Sequence, residues 1–172
     1  MHLLFLPGFM CDERLFSLQI KHLRNLDYSC HFIELNQQDS IEDMAGYTLS
    51  CVEGPLVLVG LSMGGIVALE AIGQAPERVI GLSLFNSTPF KDSLGDARLE
   101  QIARVQREGV EGLYMDVLKP QYIAPENRQT ELMDIVIDMA RNLGSTVFER
   151  QSRALAGRGG YETFLPEIKQ KV

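Results

Sequence analysis

The sequence has no excess of basic residues, few cysteines and no long hydrophobic run, and each shortage excludes a class of protein. Lys and Arg number 16 against 23 Asp and Glu, so the net charge of −7 leaves no surplus of cations for nucleic acid. Cys11, Cys30 and Cys51 are spaced too irregularly for a disulfide framework or a zinc site. No apolar run approaches the roughly 18 residues that span a bilayer. We therefore expect a cytoplasmic protein with no metal, cofactor, nucleic-acid or membrane partner.

The first half of the chain alternates short apolar runs with helical patterns. Apolar runs at 3–6, 28–35, 56–59 and 79–85 predict four strands, and helical periodicity at about 12–25, 41–49 and 63–74 separates them. Ser40 is a typical N-cap for the second of these helices. Strands that alternate with helices indicate an α/β fold, in which a parallel sheet is flanked by helices. A length of 172 residues suits one such domain.

The second half predicts helices and no strand. Three apolar stripes carry this interpretation: Leu99, Ile102, Gln106, Val110, Leu113 and Val117; Leu132, Val136, Met139, Ala140 and Leu143; and Val147, Ala154 and Leu155. We expect residues 1–90 to form the α/β core, residues 91–158 a helical lid, and residues 159–172 a segment returning towards a next strand. Met115, Met133 and Met139 are expected to serve mainly as core side chains.

One motif carries chemistry, because Gly60, Ser62 and Gly64 match the pattern G-x-S-x-G. The motif follows a buried strand and opens a helix, which is the context that a nucleophile elbow requires. Gly60, Gly64 and Gly65 would let the strand and the helix approach closely, and Ser62 would then stand at the carboxyl end of the sheet. The simpler alternative is a glycine-rich helix start without catalytic meaning.

A nucleophilic serine needs donors for the negative charge of the oxyanion. The backbone N–H of Met63, the residue after the nucleophile, is the first candidate donor. The backbone N–H of Phe9 is the second, because Pro7-Gly8-Phe9-Met10 follows the first strand and can turn tightly at Gly8. We therefore predict an oxyanion hole formed by the backbone N–H groups of Phe9 and Met63.

These segments resemble the α/β-hydrolase fold family, and in particular a short subgroup that begins at the third strand of the fold. The resemblance rests on the opening LFLPGFMCDERL at 4–15, the elbow VGLSMGGIVALE at 59–70, APERV at 75–79 and ERQSRA at 149–154. It implies a serine hydrolase for a small acyl ester or thioester, with a lid that shapes the acyl pocket. Other members of this fold carry out haloperoxidase-like or lyase-type chemistry, so the elbow does not fix the reaction.

The catalytic relay of this family follows the order Ser, acid, His, and the sequence does not supply its last member. His2, His22 and His31 all precede Ser62, and each is expected to have a structural or surface role. Some relatives place the acid near 86–88, but those residues are Asn, Ser and Thr, and the nearby Asp92 has no histidine to orient. Cys11 lacks a base and is expected to pack in its loop.

Two interpretations remain open. In the first, the chain is a fragment truncated to about four strands, lacking roughly 60 residues that bear the acid and the histidine. The intact protein would then be a serine hydrolase, whereas the 172 residues alone would be inactive. In the second, the chain is a non-catalytic ligand-binding or interaction module that retains the fold. Without later strands, the strand at 79–85 would be a bare sheet edge, and we expect the isolated chain to dimerise or aggregate through it.

Overall fold

The computed structural model describes residues 1–113, 123–127 and 131–172, and its centre is a sheet of four parallel strands. The strands lie in the order β2-β1-β3-β4, and their bounds are β1 His2–Leu6, β2 Ser29–Phe32, β3 Leu56–Leu61 and β4 Val79–Phe85. The predicted α/β class with a flanked parallel sheet is confirmed. The second strand is shorter than the predicted 28–35, although the Ile33 N–H still donates to the Phe5 carbonyl at 3.0 Å.

Five helices accompany the strands among the described residues. They are α1 Ser17–Arg24, α2 Ile41–Ser50, α3 Met63–Gln74, α4 Gly95–Leu113 and α5 Glu131–Gly157, with 3-10 turns at Glu13–Phe16, Pro125–Asn127 and Leu165–Glu167. The single helix predicted at 12–25 is divided, because Asp12 caps a 3-10 turn before α1 begins. Ser40 caps α2 as predicted, since its Oγ accepts from the Asp43 N–H at 3.0 Å. None of the helices within the described ranges is long and apolar enough to cross a membrane.

The sheet is buried on both faces, which explains why its strands are apolar at consecutive positions. On one face, Leu4 and Leu6 of β1 pack with Leu58 of β3 beneath α2 and α3, and all three side chains are fully buried. On the other face, Phe5 packs with Phe16 and other residues of the α1 region. The alternation along β1 therefore fixes its register between two hydrophobic layers.

The two long helices form a layer with a core of its own. α4 packs on α5, and the cluster between them includes Met10 from the loop after β1. Its other buried members are Ile102, Val105, Val110, Ala140 and Phe148. Gly109 and Gly144 interrupt the helices with φ values of 78° and 74°, a conformation that glycine adopts without steric cost. The boundary drawn between a core and a lid stays a prediction.

Three members of the predicted apolar stripes are exposed, namely Leu99, Gln106 and Leu132. Leu99 is 52% exposed and Leu132 is 49% exposed, so the expectation of burial is wrong for both. An apolar stripe shows which face of a helix is hydrophobic, but a side chain is buried only where another element packs against it. Leu99 and Leu132 are not part of the cluster between α4 and α5. Met133 and Met139 are buried as expected, whereas the side chains of Leu113, Met115 and Val117 lie outside those described.

The outer edge of β4 is covered at one point by the end of the described chain. Gly81 forms a parallel bridge with Lys171, and the Leu82 N–H donates to the Lys171 carbonyl at 2.9 Å. The expectation of a wholly bare edge is therefore wrong at this point. Ile80 remains 46% exposed and Phe85 remains 49% exposed.

Association through this edge stays a prediction, and it can be tested by light scattering. We expect the 172-residue chain to form dimers or larger species, because an apolar parallel edge strand offers free hydrogen-bonding groups to a second copy. The charge in Ile80→Lys should shift the population towards monomer, whereas the uncharged β-branched variant Ile80→Thr should not. A monodisperse monomer for the unsubstituted chain would contradict this prediction.

Candidate active site

Ser62 occupies a strained turn between β3 and α3. Its φ of 53° and ψ of −112° lie in a region that residues with a side chain rarely adopt. Three backbone hydrogen bonds hold the turn. The Ser62 N–H donates to the Phe85 carbonyl at 2.9 Å, and the Ser62 carbonyl accepts from the N–H groups of Gly65 at 3.0 Å and Ile66 at 3.3 Å. Backbone strain of this kind costs on the order of 1–3 kcal/mol and persists only where the surrounding structure over-determines it.

The glycines around Ser62 lie where neighbouring segments of the chain leave no space for a side chain. A Cβ at Gly64 would lie 2.0 Å from the carbonyl oxygen of Leu6, which ends β1. A Cβ at Gly60 would lie 2.5 Å from the Gly64 carbonyl oxygen, and one at Gly65 would lie 2.5 Å from the Ser87 side chain. Since real Cβ atoms do not approach backbone atoms so closely, Gly60 and Gly64 exclude every residue except glycine, whereas a Cβ at Gly65 would require the Ser87 side chain to shift.

The segment after β4 supports the turn. The Ser87 hydroxyl donates to the Ser62 carbonyl at 2.9 Å, and the preceding residue, Asn86, has a positive φ of 46°. The segment 86–88 therefore provides no carboxylate, and its Ser87 hydroxyl stabilises the backbone of the elbow. Sequence reasoning did not find this role, because a serine in a loop gives no distinct signal.

The loop after β1 is tied to helix α5 by a single buried side chain. The Cys11 N–H donates to the Gly8 carbonyl at 3.1 Å, which closes a tight turn, and Met10 within it has a φ of 55°. The Met10 N–H donates to Oε1 of Gln151 at 2.8 Å, and Nε2 of Gln151 donates to the Leu35 carbonyl at 2.9 Å. Gln151 is fully buried, so it fixes the backbone that carries Phe9. Sequence reasoning missed this residue.

Ser62 and Phe9 line the same cavity, whose volume is about 410 Å³. The cavity lies at the carboxyl end of the strands, where α/β folds bind ligands. Its wall combines three kinds of side chain: apolar Ile66, Phe90, Leu94 and Leu155; hydroxyl-bearing Thr88 and Ser93; and charged Lys91, Asp92, Arg98 and Arg158. The side chain of Met63 is only 1% exposed and packs in the core, so it is not part of the cavity wall.

The charged wall is organised around Asp92. Its carboxylate accepts from Nε of Arg98 and lies 4.0 Å from Nη2 of Arg158, whose Nε and Nη2 also donate to the Phe90 carbonyl. Burial lowers the pKa of the Arg158 guanidinium, the Asp92 charge opposes this shift, and the Arg98 charge adds to it. Sequence analysis found no histidine for Asp92 to orient, whereas in the structure Asp92 is paired with two arginines.

The histidines lie far from Ser62. His2 begins β1 and hydrogen-bonds through Nδ1 to Ser29 Oγ at 3.0 Å and to His31 Nε2 at 3.1 Å. Since β1 and β3 are parallel and in register, roughly 20 Å of strand separates the level of His2 from Ser62. His31 is level with Leu58 of β3, but it lies on β2, on the far side of β1 from β3. His22 lies on α1. Burial is the main cause that lowers the pKa of His31, and the charge of His2 lowers it further.

Cys11 is also a poor nucleophile in this structure. Burial raises the pKa of its thiol to about 12, and the neighbouring Asp12 charge acts in the same direction. The thiol is therefore protonated at neutral pH, and only the thiolate reacts readily. Among the described residues, no group of three or more His, Cys, Asp or Glu side chains is placed to hold a metal ion.

Residues 3–166, nearly the whole chain, match the model of the Alpha/beta hydrolase family. The chain therefore belongs to the alpha/beta hydrolase family. No curated protein sequence is significantly similar to it.

Solved structures share the fold at low sequence identity. A thermophilic esterase from Thermogutta terrifontis, solved with malate bound, superposes with a TM-score of 0.88 at 22% identity, over 99% of this chain and 68% of that one. A hydrolase from Pseudomonas aeruginosa PA01 gives 0.80 at 15% identity, over 98% and 68% of the two chains. The enol-lactonase from Burkholderia xenovorans LB400 gives 0.79 at 13% identity, over 98% and 69%. At these identities the likeness establishes the fold alone.

The glycine contacts predict a large difference between two alanine substitutions in the same helix. Gly64→Ala should lower the free energy of unfolding by at least about 3 kcal/mol or prevent folding, because its Cβ would overlap the Leu6 carbonyl. Gly73→Ala is the matched control, because its Cβ would only reach ordinary contact with Phe164 at 3.9 Å, so stability should change by about 1 kcal/mol or less. Urea denaturation followed by circular dichroism measures both, and equal effects would contradict the close approach.

Proposed function

We propose that this protein is a serine hydrolase that acts on a carboxylic ester or thioester. The observation that supports it is the strained Ser62, with its positive φ, on the wall of a 410 Å³ cavity at the carboxyl end of the sheet. Strain retained at one polar residue beside a cavity is typical of catalytic sites. The proposal also agrees with the solved relatives described as an esterase and an enol-lactonase.

In the proposed reaction, the Ser62 hydroxyl attacks the substrate carbonyl carbon and loses its proton to a base. The backbone N–H groups of Phe9 and Met63 donate hydrogen bonds to the oxyanion of the tetrahedral intermediate. Collapse of the intermediate expels the alcohol or thiol, which takes up the proton, and water then releases the acid from the acyl-enzyme. Helices α4 and α5 would shape the pocket for the acyl group.

The proposal requires a base that the described residues, 1–113, 123–127 and 131–172, do not bring to Ser62. All three histidines in the sequence lie elsewhere in the fold, and Asp92 is paired with arginines. We therefore propose that the histidine and its acid come from residues outside this sequence. The distance of His2 and His31 from Ser62 also supports a second candidate function, a non-catalytic ligand-binding or interaction module that retains the pocket.

The remaining expectations follow from the same proposal. The proposed partner is a small acyl substrate, because a cavity of about 410 Å³ lined by both apolar and polar side chains suits a small molecule. A cytoplasmic location is proposed because Cys11, Cys30 and Cys51 are all free thiols.

A serine-reactive fluorophosphonate distinguishes the two candidate functions. We expect the protein expressed from its full reading frame to take up one phosphonate at Ser62, because only an activated hydroxyl attacks phosphorus rapidly. Intact mass and peptide mapping measure the adduct. Ser62→Ala should abolish labelling, whereas Ser93→Ala, which removes another hydroxyl from the same cavity, should leave it unchanged.

Absence of labelling in the folded full-length protein would favour the binding module and reject the hydrolase. A further control uses residues 1–172 alone, which we expect to hydrolyse p-nitrophenyl esters at the background rate because no histidine reaches Ser62. Turnover by this piece that disappears in Ser62→Ala would show that the missing base is not needed.

A further inference from the structure

The cavity beside Ser62 has a strongly unequal charge. Of the four charged side chains on its described wall, Lys91, Arg98 and Arg158 are cationic and only Asp92 is anionic. This inequality is local, since the chain as a whole carries a net charge of −7. The excess of positive charge on the cavity wall is therefore opposite in sign to the net charge of the chain.

The inner part of this wall keeps one unbalanced positive charge. The Asp92 side chain is only 4% exposed, and the Arg98 and Arg158 side chains are 16% and 7% exposed. Water therefore solvates these three charged groups poorly. One carboxylate faces two guanidinium groups, and the remaining charge of +1 lies on the cavity wall. Burying a charge without a partner is costly, so the wall is suited to receive an anion.

Arg98 is placed to make that contact next to the reactive serine. Its Nε is bound by Asp92, whereas its two terminal nitrogens have no hydrogen-bond partner among the described residues. Its guanidinium carbon lies 5.9 Å from the ring centre of Phe9, the residue proposed to donate to the oxyanion. The free side of a guanidinium group presents two parallel N–H donors, which match the two oxygens of a carboxylate.

We infer that the substrate of this site carries a carboxylate besides its ester or thioester group, and that Arg98, with Arg158 behind it, binds this carboxylate. The inference rests on the proposed function. A single carboxylate supplies the one negative charge that the buried wall lacks. The apolar side chains of Ile66, Leu94 and Leu155 then surround the hydrocarbon part of the acyl group.

The test is equilibrium binding of two matched probes, so that it does not depend on turnover. Monomethyl glutarate has one ester and one carboxylate, whereas dimethyl glutarate has the same carbon chain and no charge. Titration calorimetry on the full chain carrying Ser62→Ala should show at least about tenfold tighter binding of monomethyl glutarate. Adding Arg98→Gln should reduce this preference to about twofold or less.

Two further variants control the result. Arg107→Gln makes the same change on an exposed position of α4 and should retain the full preference, because Arg107 is outside the cavity. Arg158→Gln repeats the test at the second guanidinium if Arg98→Gln does not fold, as judged by circular dichroism, and should also reduce the preference. Equal binding of the two probes, a preference that survives both cavity variants, or no binding of monomethyl glutarate up to about 50 mM would overturn the inference.

The outcomes separate this inference from the proposed function. A carboxylate preference without phosphonate labelling of Ser62 would retain the anion pocket and reject the hydrolase. Labelling without a carboxylate preference would retain the hydrolase and reject an acidic substrate.

Discussion

The close approach of helix α3 to strand β1 is the contact on which the rest of the structure depends. Gly64 stands so near the Leu6 carbonyl that no other residue fits, and the chain before it must turn through Ser62 with a positive φ. Backbone bonds to Phe85 and Gly65 hold that turn, and the hydrophobic layers on both faces of the sheet hold the strands that supply those bonds. Packing far from the site therefore maintains the strain of one residue within it.

A second constraint joins the helical layer to the same site. Gln151 reaches from α5 to the backbone of Met10 on one side and Leu35 on the other, and it is fully buried. Met10 in turn packs into the cluster between α4 and α5. The position of Phe9 is thus set by the sheet and by the helices together, so the cavity at Ser62 is formed where the two layers meet.

Local patterns in the sequence predicted most of the sheet and the elbow. The run at 79–85 matches β4, and Gly60, Ser62 and Gly64 indicated the strand–turn–helix because the requirement for small residues is local. The histidines could be assigned away from Ser62 from chain order alone. The role of Gln151, the Asp92 pairing with Arg98 and Arg158, and the bridge at Lys171 could not be predicted, because each joins residues distant in sequence. The exposure of Leu99 could not be predicted either, because hydrophobic periodicity does not show which element packs against a helix.

In the proposed mechanism, the strained turn presents the Ser62 hydroxyl to a carbonyl group held between two backbone donors. A crystal structure of the phosphonate adduct tests it most directly. We expect Ser62 to keep a positive φ and the phosphonyl oxygen to lie within about 2.7–3.1 Å of the backbone nitrogens of Phe9 and Met63. A relaxed Ser62 backbone, or a phosphonyl oxygen directed away from both nitrogens, would contradict it.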